Sequence, residues 1–76
     1  MTVADLEQLL IARLVRERGG NSQTWRKALG KITVRDARLY VHCNWEITPV
    51  GNDAQRAAIE DLLDEVRLAH SIVTAG

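Results

Sequence analysis

A chain of 76 residues has room for one domain, 1–76, and no second, because independently folding domains need at least about 50 residues each. Hydrophobic residues make up 46% and charged residues 26%, a globular balance that excludes a disordered or low-complexity chain. Ten basic side chains against ten acidic ones give a formal net charge of zero, which at first sight excludes a nucleic-acid-binding domain of the strongly basic kind.

The first element is a helix. Thr2 is a cap with Asp5 three residues on, and Gly19-Gly20 ends it. Val3, Leu6, Leu10 and Leu14 form one apolar stripe, and Ala4, Ile11 and Val15 a second. With Leu9 outside both, this is more apolar surface than one side of a two-layer domain hides. Either the helix is clamped between a sheet and a second helix, or Ile11 and Val15 form a homodimer interface. After a polar break at Asn21-Ser22, Trp25, Lys27 and Leu29 would share one side of a strand over 24–29, although Arg26, Lys27 and Ala28 suit a helix equally, and Gly30 suggests a bulge or bend. Ile32 and Val34 alternate in a short strand, and Asp36-Ala37 is the expected turn.

Residues 39–48 then alternate without a break. Leu39, Val41, Cys43, Trp45 and Ile47 fall on one face, and Tyr40, His42, Asn44, Glu46 and Thr48 on the other. This pattern predicts a long antiparallel strand, one side buried and the other solvated or facing a partner. Pro49 and Gly51 stop it. Asn52 and Gln55 form a capping box for a last helix with Ile59, Leu62, Leu63, Val66, Ala69 and Val73 on its apolar stripe and His70 near its end. The expected fold is α+β: a two-layer sandwich of helix, two- to three-stranded antiparallel sheet and helix, with both helices on one face.

The chemistry these residues suggest is binding. A single cysteine, Cys43, forms no intrachain disulfide, so a reducing cytoplasm is the natural compartment. The N-terminal stretch is acidic where a secretory leader would be basic, and the apolar runs are too short to cross a membrane. Cys43, His42 and His70 fall short of the roughly four ligands of a structural zinc site, so no metal or other cofactor is expected. His42 and Cys43 point to opposite faces of their strand, and Cys43 among apolar neighbours reads as a small hydrophobe. His70 reads as a packed or capping residue. No nucleophile, base and orienting group come together, so no catalytic residue is assigned. Two candidate partner-binding surfaces remain: the acid stripe Glu60, Asp61, Asp64 and Glu65 on the last helix, and the polar strand face Tyr40, His42, Asn44 and Glu46.

The zero net charge is a cancellation. Residues 1–12 carry −2, residues 13–38 carry +6 and residues 39–76 carry −4. The basic middle offers an alternative function, nucleic-acid binding through Arg26, Lys27, Lys31, Arg35 and Arg38. Helix, strands, helix is also the order of the double-stranded-RNA-binding domain, but where that domain has a basic cluster, residues 52–56 supply only Arg56.

The run of residues 42–51, HCNWEITPVG, followed by AIEDLLDEVR at 58–67 and HSIV at 70–73, resembles a group of short uncharacterised alphaproteobacterial proteins. The likeness covers the C-terminal half. Members tend to have proline after the histidine where this chain has Ser71, so the last helix is expected to run on. The resemblance implies a bacterial, cytoplasmic protein carried on phage or other mobile DNA, and it transfers no catalytic residue. The combined expectation is a homodimeric, non-enzymatic regulatory or inhibitory module that binds a bacterial protein.

Overall fold

A computed structural model describes residues 1–75. Helix α1, Val3–Arg18, begins where the sequence places it. Thr2 Oγ1 accepts the Asp5 N–H and Asp5 Oδ2 accepts the Thr2 N–H, each at 3.2 Å, so two of the free amide groups at the helix start are satisfied reciprocally. Gly19, at φ 79°, closes the helix by donating its N–H to the Val15 carbonyl, a conformation that glycine adopts without the Cβ clash of other residues.

Residues 22–29 are not a strand. They form helix α2, Ser22–Leu29, capped by Asn21, whose Oδ1 accepts the Thr24 N–H at 2.8 Å. Its buried residues, Trp25, Ala28 and Leu29, stand at i, i+3 and i+4 and share one helical face, whereas a strand would turn Ala28 to the opposite side from Trp25 and Leu29. Trp25 Nε1–H donates to the Gly19 carbonyl at 2.7 Å and ties the start of α2 to the end of α1. Gly30, at φ 71°, is the C-cap rather than a bulge.

Strand β1, Ile32–Val34, pairs antiparallel with strand β2, Trp45–Ile47, with Ile32 opposite Ile47 and Val34 opposite Trp45. No third strand joins them among the described residues. The long strand expected over 39–48 is confined to its last part. Leu39 and Val41 are 78% and 64% exposed, while Trp45 and Ile47 are 2% and 5% exposed. The physical reason is the lack of a partner: β1 ends at Val34, so nothing offers residues 39–42 a hydrogen-bonding edge.

Helix α3, Asp53–Ala69, has the expected capping box between Asn52 and Gln55. It does not run on: His70 is its C-cap and donates its N–H to the Val66 carbonyl at 2.7 Å. The chain then leaves extended and ties the termini together. Thr2 and Thr74 form a parallel bridge, with the Val3 N–H donating to the Thr74 carbonyl at 2.9 Å.

The fold is α+β, three helices and a two-stranded sheet around one core. Leu6, Leu10, Ile11 and Leu14 of α1 meet Trp25 and Leu29 of α2, Trp45 and Ile47 of β2, and Ile59, Leu63 and Val66 of α3 in that core. Apart from exposed Ala4, the two apolar stripes of α1 are therefore used within the chain. Ile11, expected at a dimer interface, is 5% exposed, and Val15 is half-buried against the same core. Of the two alternatives, the cover comes from within the chain: α1 packs against α2, α3 and β1. No helix among the described residues is long and apolar enough to cross a membrane.

Candidate partner-binding surface

The connection between the strands, residues 35–44, is a fixed turn. The Arg35 N–H donates to the Asn44 carbonyl at 2.6 Å and closes its base. At its start the Asp36 carbonyl accepts the Leu39 and Tyr40 N–H groups, both at 3.0 Å, and Asp36 Oδ1 accepts the Arg38 N–H at 2.9 Å. An aspartate that caps its own turn in this way is a general device for stabilising a tight bend. The Arg38 guanidinium also binds the Asp36 carboxylate, and together with the Arg38 amide holds its pKa below the usual value. Between exposed Arg38 and His42 the turn presents Leu39, Tyr40 and Val41, consecutive and exposed.

Beside this tip lies an open groove of about 380 Å³ lined by Arg35, Tyr40, Cys43, Trp45, Glu46 and Arg67. Arg35 at the end of β1 is 2.8 Å from Glu46 of β2 and places its guanidinium 5.4 Å from the centre of the Tyr40 ring. Arg67 of α3 lies over the Trp45 ring at 5.5 Å. That ring is held at its edge, because Trp45 Nε1–H donates to the His70 carbonyl at 2.8 Å. Cys43 is half-buried against the core and its thiol donates to the Trp45 carbonyl at 3.3 Å.

The structure divides the polar strand face. Tyr40, His42 and Glu46 are exposed, but Asn44 is 2% exposed. Its Nδ2 donates to the Val73 carbonyl at 2.8 Å and to the Arg35 carbonyl at 3.1 Å, and its Oδ1 accepts the Val73 N–H at 2.9 Å. Asn44 therefore clips the C-terminal segment to the base of the turn and offers nothing to a partner. A side chain with two donors and an acceptor satisfies backbone groups that burial would otherwise leave unpaired.

The acid stripe is partly spent within the chain. Arg13 of α1 donates to Glu65 at 2.8 Å and to Glu17, and Arg18 lies 3.6 Å from Asp61. Asp64 has Arg67 at 3.9 Å, and Glu60 has no ion pair among the described residues. The Arg13 hydrogen bond holds the Glu17 carboxyl below its usual pKa. The basic middle is treated likewise: Arg26 lies 3.4 Å from Glu7, Arg35 binds Glu46 and Arg38 binds Asp36, while Lys27 and Lys31 have no ion pair among the described residues. The opposite charges of the basic segment and of α3 thus meet partly inside one molecule.

Three participants escaped the sequence reading. Leu39 and Val41 were expected on the buried strand face, and Arg67 is not among the candidate contact residues. The Asp36 turn signal was visible and is the cue that ends the ladder before Leu39; nothing local indicates that Arg67 covers Trp45, since that contact joins residues far apart in sequence. Comparison with family models, curated proteins and solved structures finds no match, so function is argued from this geometry.

Proposed function

We propose that the chain is a small non-enzymatic regulatory module that binds another protein through the turn of residues 35–44 and the groove beside it. The observation that carries the reading is the Leu39-Tyr40-Val41 tip, three consecutive apolar side chains held out on a turn whose backbone is already hydrogen-bonded. Exposing such a group costs solubility, and fixing it in advance lowers the entropy cost of association. The bacterial, cytoplasmic and mobile-DNA setting implied by the sequence resemblance, and an inhibitory role there, belong to the same proposal.

The other contact surfaces have weaker support. Ile11 lies in the core, which removes the support for a second copy docked on α1 through that residue. Arg26, Arg35 and Arg38 each have a carboxylate neighbour, which reduces the positive field a nucleic acid would meet. Asp61 and Glu65 of the acid stripe already engage α1.

Affinity capture from the bacterial host with three baits tests the reading. The wild type is expected to recover a protein that the Leu39→Ser/Val41→Ser variant loses and the Asp61→Lys/Asp64→Lys variant retains. Loss with the second variant and retention with the first would transfer the contact to α3.

A further inference from the structure

The groove has a chemical character beyond its apolar tip. It holds two guanidinium groups, Arg35 and Arg67, against one carboxylate, Glu46. Each guanidinium is steadied by an aromatic ring, Arg35 by Tyr40 and Arg67 by Trp45. Stacking of this kind orders a long side chain before a ligand arrives, so less rotamer freedom is lost on binding. The two arginines differ in what they have left to give. Arg35 is 2.8 Å from Glu46. Arg67 donates no side-chain hydrogen bond among the described residues, and its one acidic neighbour, Asp64, stands at 3.9 Å with 85% of its side chain exposed.

We propose that this groove receives an aspartate or glutamate side chain from an acidic peptide segment of the protein partner. Arg67 is the main donor, Arg35 the second, and the flanking apolar residues of the peptide rest on Leu39 and Val41. The inference depends on the protein-binding reading above and names the chemistry of its partner. Charge complementarity selects an anion, because the lining carries one positive charge in excess. Glu46 leaves the lining with a single net positive charge, which one carboxylate neutralises. The planar fork of Arg67 matches the two oxygens of a carboxylate. The open groove and adjacent exposed side chains suit a peptide rather than an enclosed small molecule.

The test uses a phage-displayed random heptapeptide library selected on the whole chain, followed by binding measurements on a synthetic copy of the most enriched peptide. Enrichment of Asp or Glu beside an apolar residue is expected. Changing that acidic residue to its amide should weaken binding about tenfold or more, and Arg67→Gln should cost a similar factor with an unchanged melting temperature. The two changes together should cost no more than either alone. Arg35→Gln provides the same cycle if Arg67→Gln fails to fold. Selected peptides without an acidic residue, or acid-dependent binding that ignores both arginines, would overturn the carboxylate assignment and leave protein binding standing. Displacement by inorganic phosphate at concentrations where acetate has no effect would also overturn it. Selection of no peptide beyond those retained by the Leu39→Ser/Val41→Ser variant would overturn both readings.

Discussion

Replacing Asn44 by alanine removes three hydrogen bonds at one buried point: two donated by Nδ2, to Arg35 and Val73, and one accepted by Oδ1 from the Val73 amide. Each buried hydrogen bond contributes about 1 kcal/mol net, and a backbone group left unpaired costs about 1–3 kcal/mol. Water can re-pair the Arg35 carbonyl at the half-buried turn more readily than the Val73 groups, since Val73 is 3% exposed. The expected loss is therefore about 2–4 kcal/mol, much of the ~3–5 kcal/mol a single core of this size supplies. At roughly 4–8 °C per kcal/mol for a small domain, thermal unfolding followed by circular dichroism should show a fall of at least about 8 °C. Residues 71–74 should lose amide protection first, because Asn44 and the Thr2–Thr74 bridge are what hold them. A melting temperature within about 3 °C of wild type would refute the reasoning and return Asn44 to the set of surface residues free to bind a partner.

Ile11→Glu should unfold the chain rather than dissociate a dimer, since an unpaired charge in the core costs at least several kcal/mol; Val15→Glu, at a half-buried position, should cost less. Sedimentation with circular dichroism checks both, and a folded Ile11→Glu monomer derived from a wild-type dimer would contradict the core assignment. Asp5, Glu17 and Asp36 have folded pKa values lowered by hydrogen bonds from Thr2, Arg13 and Arg38 respectively. Their contribution is complete above the unfolded carboxyl pKa and is lost as pH falls through the lower folded values. Stability should then be level from neutral pH down to about 5 and decline below about 4; a melting temperature that rises on acidification would contradict these pairings.

The legible parts of the fold were those specified locally. Thr2 with Asp5 and Asn52 with Gln55 mark helix starts within four residues of sequence, and both boxes form. Helix α2 was hidden because Trp25, Lys27 and Leu29 fit a strand as readily as Trp25, Ala28 and Leu29 fit a helix, and β-favouring Thr24 and Trp25 tip the balance toward strand. The deciding feature is Asn21, which caps α2 as well as breaking the apolar pattern. Residues 39–42 show the limit of alternation: a period of two describes a side-chain pattern, but a strand also needs an edge to bond, and β1 is too short to supply one. The candidate surface was half visible. Tyr40 and Glu46 were selected for their polar face and do line the groove. Asn44, chosen by the same rule, is buried because its partners lie at Arg35 and Val73, at separations that no local pattern encodes.

Hydrogen exchange on the complex with the captured protein tests most directly the claim that the turn and its groove are where this chain binds. Protection upon binding is expected across residues 37–46 and around Arg67, with the exposed face of α3 at Glu60 and Asp61 unchanged. Protection confined to Glu60, Asp61, Asp64 and Glu65, with the Leu39-Tyr40-Val41 tip exchanging as in the free chain, would contradict it.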